Sequence, residues 1–473
     1  MSSIITDPFR QRLLLGAVAL GVVMDGIDGS IVNVALPTMA AYFGTDTGTI
    51  AWVIITYILM MAGFCLIFGK LADRGLTKRL FLLGFVVFTV SSAACGIAPA
   101  LDILLAARLV QGLGAAMIAA VAPLLCIRYL PPDMLGTALG VIAATASIGF
   151  AAGPAIGGIV TQYLSWHWIF LVNIPIGIIG ILFAARVIPR DEPEVGTVSF
   201  DYLGAVTLFC TLVFCTFVLE EVAARGVMDP LIIACCMLCL VCLGLFTWRE
   251  LTTPEPFVNI RIFSKWQFFA VLIALLLINA IFMGIIYLLP FYLTMEMHFD
   301  LATSGLCLLI PPLVIAIISI PFGKWSDQQG RRAFTVAACG FFVITSAVFM
   351  ILTPASGTIP LLAGLVLMGA ALGIAAGPAA SRVIESAPQG EENTGSSLMV
   401  TAIYFGGVVG TAAYATLFTF ATAGPGGIVA FTDLDPAVFM NGFRFTMGVG
   451  LILSVITLVL SAVVPDVRRD ESR

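Results

Sequence analysis

The chain has 473 residues, of which 60% are apolar and only 10% are charged, and its mean hydropathy is +1.10. This composition excludes a water-soluble globular domain and predicts a protein that lives in lipid. The formal net charge of −5 does not indicate a nucleic-acid partner, because the few basic residues lie in short loops.

Apolar segments long enough to cross a membrane recur along the whole chain. A spanning helix needs about 20 apolar residues. Fourteen segments meet this length, at about 13–37, 49–69, 79–98, 101–124, 136–160, 167–188, 202–221, 229–248, 266–293, 303–323, 333–353, 359–380, 394–421 and 441–464. Each backbone must satisfy its own hydrogen bonds in lipid, so the predicted fold class is an all-α membrane protein.

The loops between these segments carry the basic residues unevenly. If the N-terminus is cytoplasmic, all but three of the 22 Lys and Arg residues fall on the inside; Arg225 lies in an outside loop, and Arg108 and Arg444 lie within segments. Inside loops are normally the basic ones. The bias predicts an even number of helices, with both termini on the cytoplasmic side of a cell inner membrane.

One loop pattern occurs twice, after the second and after the tenth segment. Both copies read Gly-Lys-x-x-Asp, followed by a glycine and two adjacent basic residues. The repeat predicts two six-helix bundles, over 1–188 and 266–473, separated by a linker with two inserted helices over 189–265.

Carboxylate and basic groups at helix ends can hold two bundles together and release them, so the repeated loops predict a conformational latch. Its candidate residues are Gly69, Asp73, Arg74, Lys78, Arg79, Gly323, Asp327, Arg331 and Arg332. The simpler alternative is an ordinary positively charged inside loop.

Two carboxylates and an amide lie in the first segment, where hydrocarbon is expected: Asp25, Asp28 and Asn33. A carboxylate at this depth costs at least ~2.5 kcal/mol, so such residues usually face a cavity, pair with a base or carry protons. Asp25 and Asp28 share a helix face, which disfavours simultaneous ionisation. They are predicted to bind protons and line a substrate cavity; the alternative is that they cap a kink or hold helices together.

Arg108 lies inside the fourth segment, three residues before Gln111. A buried arginine needs an anionic partner. At 1.5 Å per residue, Arg108 lies roughly 10 Å and Asp28 roughly 13 Å below the outer face, if the first helix ends near Pro37. An Asp28–Arg108 interaction is therefore predicted, direct or through water, with backbone carbonyls as the rival partners. Gln111 is predicted to line the cavity near the level of Asp25.

The fifth segment contains Gly149, Gly153, Pro154, Gly157 and Gly158. Glycines every four residues give a flat face for close helix packing, and the proline allows a bend. A lone GxxxG would be a weak signal, but the Gly-Pro-x-x-Gly-Gly form is more specific.

With these motifs the chain resembles the major facilitator superfamily, and within it the fourteen-helix drug:proton antiporters of the DHA2 type. The resemblance is carried by the stretch 27–37, both Gly-Lys-x-x-Asp loops, Arg108 with Gln111, the fifth-segment motif, and the runs 168–177 and 289–293. It implies proton-driven export by alternating access, in which Asp28 binds the proton and recognises cations, and Arg108 assists proton exchange. Asp25 is outside the family motif.

Other polar residues carry weaker signals. Asn279 and Tyr287 are eight residues apart in the ninth segment, where they either line the substrate cavity or form buried polar packing. Glu220 and Glu221 end the seventh segment and are expected to be solvated on the outside, with a second substrate acid as the alternative. Four cysteines cluster over 235–242, but with no histidine nearby they are predicted to be small buried side chains rather than metal ligands.

The motifs together predict a transporter rather than an enzyme. Neither Gly-Lys pair belongs to a Walker A pattern, and both histidines map to the outer surface. The prediction is a monomeric antiporter, with protons as the coupling ion and no cofactor, that exports amphipathic and foremost cationic drugs or toxic compounds. The main alternative is an exporter or flippase of an endogenous lipid or metabolite on the same fold. A nutrient symporter, a membrane enzyme or a non-transporting sensor fits less well.

Overall fold

A computed structural model describes residues 4–131, 134–191, 201–253, 258–353, 356–388, 392–423 and 430–465. Within these ranges every regular element is a helix. The α-helices are α1 Pro8–Phe43, α2 Thr47–Leu71, α3 Thr77–Gly96, α4 Leu101–Tyr129, α5 Leu135–Tyr163, α6 Trp168–Leu171, α7 Asn173–Val187, α8 Tyr202–Arg225, α9 Pro230–Thr252, α10 Trp266–Met295, α11 Leu301–Leu308, α12 Ile310–Gln329, α13 Arg331–Ile351, α14 Thr358–Ser386, α15 Glu392–Thr422 and α16 Pro436–Val463.

Fourteen helical spans in the described ranges are long and apolar enough to cross a membrane. Two of them are built from consecutive helices, α6 with α7 and α11 with α12. The prediction of an all-α membrane fold with fourteen spans is therefore confirmed.

The first span is longer than its sequence indicates. The apolar pattern predicts a helix end near Pro37, but α1 runs from Pro8 to Phe43 and contains that proline. Membrane helices tolerate proline because neighbouring groups satisfy the freed backbone carbonyl. The predicted end of the first helix is therefore wrong, and the depth of Asp28 reckoned from it stays a prediction.

The chain forms two compact units. The first contains Met1–Phe43, Trp52–Phe200 and Phe299–Leu309, and the second contains Gly44–Ala51, Asp201–His298 and Ile310–Arg473. The inserted helices α8 and α9 thus belong to the second unit, and α11 belongs to the first. The three-part division at 188 and 265 stays a prediction.

Close packing of α1 on α5 organises the first unit. A Cβ added to Gly149 would lie 2.7 Å from the Val23 carbonyl oxygen, and one added to Gly157 would lie 2.6 Å from that of Ile31. At Gly153 the added Cβ would collide with the Ser30 hydroxyl. Three glycines one turn apart therefore allow the two backbones to touch.

The remaining motif residues face α11. A Cβ added to Gly158 would collide with the Leu301 carbonyl oxygen. A Cβ added to Gly305 of α11 would collide with the Pro154 carbonyl oxygen. The fifth-segment motif thus presents two glycine faces to two different helices of the first unit.

In the second unit, α10 packs on α15 through glycines of α15. A Cβ on Gly406 would lie 2.5 Å from the Leu276 carbonyl oxygen, and one on Gly410 would collide with Ala280. Helices α12, α13, α14 and α16 pack beside them, and α8 pairs with α9.

Candidate functional site

The two charged residues paired by the sequence lie in direct contact in the first unit. Arg108 Nη1 is 2.6 Å from Asp28 Oδ2, and both side chains are almost fully buried, with exposed fractions of 1% and 0%. Because α1 continues past Pro37, the calculated depths did not establish this contact. The contact forms because Asp28 on α1 and Arg108 on α4 both lie on buried faces of their helices.

Two amide side chains and one hydroxyl surround this ion pair. We call the five residues together the Asp28 cluster: Asp28, Ser92, Arg108, Gln111 and Asn173. Asp28 Oδ1 accepts hydrogen bonds from Gln111 Nε2 at 2.9 Å and from Asn173 Nδ2 at 2.8 Å. Gln111 Nε2 also donates to Ser92 Oγ at 2.7 Å, while its Oε1 accepts from Arg108 Nη1 at 2.7 Å. The ion pair is thus enclosed by further hydrogen bonds, which a buried pair needs to offset desolvation.

Arg108 also binds a backbone carbonyl, the alternative partner considered from the sequence. Its Nε donates to the Val53 carbonyl oxygen at 2.9 Å. Its guanidinium carbon lies 4.1 Å from the centre of the Tyr57 ring, within the range of a cation–π interaction. The arginine therefore binds an acid, a backbone carbonyl and an aromatic face together.

Asp25 occupies a different environment one helical turn away. Its Oδ1 accepts a hydrogen bond of 2.5 Å from the Tyr57 hydroxyl. Asp25 is partly exposed, whereas Asp28 is sealed, and no described ion pair involves Asp25. Tyr57 connects the two acids, because its hydroxyl donates a hydrogen bond to Asp25 and its ring lies against Arg108, the partner of Asp28.

The other predicted cavity residues bond locally. The Asn33 amide donates to the carbonyl oxygens of Gly29 and Ser30 in its own helix. The Asn279 amide donates to Leu275 O at 2.9 Å in the same way. The Tyr287 hydroxyl donates to the Thr47 carbonyl oxygen, and the tyrosine is fully buried in the second unit. Their predicted place in a substrate cavity stays a prediction.

The two repeated loops share a left-handed glycine. Gly75 has φ 85° inside a five-residue π-type turn, Ala72–Leu76, and Gly330 has φ 97° before α13. A side chain is strained at such angles, so both loops require glycine there. A Cβ on Gly69 or on Gly323 would meet nothing within 4 Å.

In the first loop an acid from beyond α7 binds the start of α3. Asp191 accepts hydrogen bonds from the backbone N–H groups of Lys78 at 2.7 Å and of Arg79 at 2.9 Å. The Lys78 ammonium donates to the carbonyl oxygens of Ala185, at 2.8 Å, and Ile188, at 2.5 Å. Asp191 therefore caps the helix as an anion at its positive end.

In the second loop the basic residues bind two other helices of the second unit. Arg331 forms an ion pair with Glu385 near the end of α14, and Arg332 donates to the Ala462 carbonyl oxygen in α16. The side chains of Asp73, Arg74 and Asp327, the rest of the predicted latch, lie outside the described part of the chain.

Glu220 contradicts the expectation of a solvated helix end. Its exposed fraction is 5%, whereas its neighbour Glu221 is partly exposed and pairs with Arg225 at 2.8 Å. The prediction failed for Glu220 because the residue lies on the packed side of α8, which an apolar segment with no clear polar face does not reveal.

Four residues of these sites were not identified as functional from the sequence: Tyr57, Ser92, Asn173 and Asp191. Ser92 and Tyr57 have no distinctive local pattern. Asn173 offered a signal, because it is an amide within an apolar run already noted for its motif. Among the described residues no group of three or more His, Cys, Asp or Glu side chains could hold a metal ion.

Fourteen membrane spans in the described ranges, with glycine faces between helices and a buried ion pair in the first unit, define a multi-pass membrane protein. The family model of the Major Facilitator Superfamily matches residues 18–411. The chain therefore belongs to the Major Facilitator Superfamily.

Named relatives cover most of the chain. The riboflavin transporter RibZ of Clostridioides difficile is 29% identical over 86% of this chain and 88% of its own length. The multidrug resistance protein B homologue of Mycobacterium tuberculosis is 29% identical over 86% of this chain and 76% of its own. The putative multidrug resistance protein MdtD of Pectobacterium atrosepticum is 31% identical over 73% of both chains.

Solved structures show the same fold at low identity. A bacterial homologue of the human lysosomal transporter Spinster has a TM-score of 0.69 and 16% identity, over 97% of this chain and 98% of that chain. The peptide transporter PepTSo has a TM-score of 0.67 and 11% identity, over 97% and 99%.

Proposed function

We propose that this transporter is a proton-coupled antiporter that exports amphipathic compounds, foremost cations, from the cytoplasm by alternating access. It would lie in the inner membrane with both termini inside, as the distribution of Lys and Arg favours. The names of the multidrug relatives support this substrate class. The observation that carries the proposal is the contrast between two carboxylates one turn apart on α1.

The first carboxylate, Asp28, is fully engaged by other side chains. Arg108 and two amide donors bond its two oxygens. A proton that entered this cluster would leave the buried guanidinium without its counter-ion, at a cost of several kcal/mol. Asp28 and Arg108 therefore fix the helices and the local field, rather than exchanging the proton in each cycle.

The second carboxylate, Asp25, is suited to change its charge. It is partly exposed and is held by a single hydroxyl donor among the described residues. Its partial exposure lets a proton or a cation reach and leave the carboxylate. A cation and a proton competing for one carboxylate would give exchange of drug for proton. The proposal thus gives to Asp25 the coupling role that the family resemblance implies for Asp28.

The glycine faces of α5 and the basic loops support the conformational part of the proposal. Backbone contacts at Gly149, Gly153 and Gly157 allow two helices to pack and shift without bulky side chains between them. The loops supply charge pairs that can form and break, such as Arg331 with Glu385.

One relative favours a second candidate, the transport of an endogenous planar metabolite. The riboflavin transporter RibZ is as similar to this chain as the multidrug relatives are. On this alternative the partly open side of Asp25 would accept a hydrogen-bonding ring system instead of a cation.

Transport in proteoliposomes with an imposed pH gradient tests the proposal. Lipophilic cations, anions, neutral compounds and riboflavin would be offered in turn, and substrate flux and internal pH would be recorded together. We expect cations to move against protons, with Asp25→Asn abolishing proton counterflow. The matched control is Asp102→Asn, which removes an exposed aspartate from α4 of the same unit and should leave transport unchanged.

Two outcomes would contradict it. If no compound moves protons in the opposite direction, antiport is wrong. If folded Asp28→Asn loses coupled transport while Asp25→Asn keeps it, the roles given to the two acids are exchanged. Riboflavin transport without cation transport would favour the second candidate.

A further inference from the structure

A second buried acid, Glu220, lies in the second unit, near the end of the inserted helix α8. Its exposed fraction is 5%, and its Oε2 atom has no hydrogen-bond partner among the described residues. Thr419 of α15 is equally buried, and its hydroxyl also has no partner there. Buried polar atoms are almost always hydrogen-bonded, so these two atoms without partners indicate that something else binds here.

Thr419 Oγ1 and the other carboxylate oxygen of Glu220, Oε1, approach the same point at Gly48, in residues 44–51, which we call the α1–α2 segment. A Cβ built on Gly48 would lie 2.8 Å from Thr419 Oγ1, 3.0 Å from Asp46 Oδ1 and 3.5 Å from Glu220 Oε1. Three side-chain oxygens from three parts of the second unit thus surround one point. A larger residue at position 48 would fill that point.

The surrounding contacts tie the same elements together. Thr416 Oγ1 of α15 donates to the Leu219 carbonyl oxygen at 2.6 Å, next to Glu220. Tyr287 of α10 donates to the Thr47 carbonyl oxygen, and Phe431 N donates to Thr45 O at 3.2 Å. Protonation of Glu220 would therefore affect the packing of α8, α10, α15 and the α1–α2 segment.

The charged groups around Glu220 are predominantly acidic. The α1–α2 segment contributes Asp46, which is engaged with Thr49 N at 2.9 Å and Thr49 Oγ1 at 2.6 Å as a helix cap. Helix α8 contributes Glu221, whose partner is Arg225.

Among the described residues, α10 brings a hydroxyl to this point, that of Tyr287 on the Thr47 carbonyl oxygen, and Asp433 of the turn Phe431–Asp433 is exposed. No described ion pair reaches Glu220.

An ionised Glu220 would be a buried charge beside a second carboxylate without a base, which is strongly unfavourable. The neutral acid is different, because it buries no charge and its hydroxyl can donate to the neighbouring Asp46 carboxylate. We propose that Glu220 is a proton-binding site separate from Asp25, and that its proton holds the α1–α2 segment against α8 and α15. Its use in a transport cycle rests on the proposed function; the proton-dependent packing does not.

The sign of the effect follows from which form is buried. The packed arrangement is stabilised while Glu220 is neutral, at low pH, and this stabilisation is lost as rising pH removes the proton. Solvent then reaches the carboxylate, and the α1–α2 segment separates from α8 and α15.

Hydrogen–deuterium exchange in lipid nanodiscs tests this without any transported compound. After correction for the chemical exchange rate, peptides covering 44–51 and 410–422 should exchange at least about tenfold faster at high pH than at low pH, as expected for an unsatisfied buried charge. Glu220→Gln, which mimics the neutral acid, should exchange slowly at both. Glu221→Gln is the matched control and should behave as the wild type does.

Equal pH dependence in the wild type and in Glu220→Gln would overturn the proposal. Protection that follows sodium concentration instead of pH would also overturn it, by making the ligand a metal cation. Because neither measurement requires a substrate, a failure of drug–proton exchange in vesicles would leave both results interpretable.

Infrared titration covers the case in which Glu220→Gln does not fold. The wild type should show a protonated-carboxyl band that disappears as pH rises. Thr419→Val replaces the neighbouring buried hydroxyl by a methyl group and should shift that band, whereas Glu221→Gln should not. A band that neither appears nor responds to Thr419→Val would contradict the proposal.

Discussion

Replacing Asp28 by asparagine separates the structural acid from the coupling acid. The substitution keeps the shape of the side chain but removes the charge that faces Arg108. It also places an NH2 group where one carboxylate oxygen now accepts a hydrogen bond. At least one donor among Arg108, Gln111 and Asn173 then faces another donor.

The magnitude follows from the burial of the pair. Breaking a buried ion pair from one side costs about 3–5 kcal/mol, because the remaining charge stays buried without compensation. Asp25→Asn should cost about 1 kcal/mol or less, since it leaves the amide oxygen to accept the single Tyr57 hydrogen bond and strands no charge. The two substitutions, one turn apart, should therefore differ by several kcal/mol.

The assay is the free energy of unfolding in mixed detergent micelles, followed by fluorescence of the six tryptophans. The double variant Asp28→Asn, Arg108→Gln removes both charges and should be more stable than the sum of the two single changes indicates. If Asp28→Asn is no more destabilising than Asp25→Asn, or if the double variant shows no coupling, the buried ion pair does not stabilise the fold as argued.

Three further changes test the packing of the helices. Gly153→Ala should lower the unfolding free energy by about 1–3 kcal/mol through overpacking, whereas Gly140→Ala, in an open part of α5, should not destabilise; equal effects would refute the close helix contact. Asp191→Ala should cost about 0.5–2 kcal/mol in the same assay by uncapping α3, and no loss would contradict the cap. Gly330→Ala should cost about 1 kcal/mol through its left-handed backbone, while Gly323→Ala, with open space around it, should be tolerated; the reverse order would contradict the loop conformation.

Much of the fold could be predicted because the membrane restricts it so strongly. Apolar runs of about 20 residues must be helices in lipid, so composition and length were enough to predict fourteen spans. Helix ends were less predictable: Pro37 resembles a terminus, yet α1 continues to Phe43. Hydrophobicity reports the thickness of the hydrocarbon, and does not limit a helix that extends beyond it.

The candidate site was partly predictable for a related reason. Asp28 and Arg108 are conspicuous in hydrocarbon, and each requires the other. Asn173, Ser92 and Tyr57 are ordinary in a membrane helix, and only the packing of α1 with α4 and α7 shows which of them reaches the acids.

The sequence by itself determined the number of spans and the need for a buried acid to find a base, because both follow from the cost of polar groups in lipid, and its motifs indicated the family. The tertiary structure alone decided how the acids differ. It encloses Asp28 in donors, leaves Asp25 partly open beside one hydroxyl, and buries Glu220 where a solvated helix end was expected. The physical reason is that the charge state of a carboxylate depends on which groups surround it in space, and residues from distant parts of the chain supply those groups.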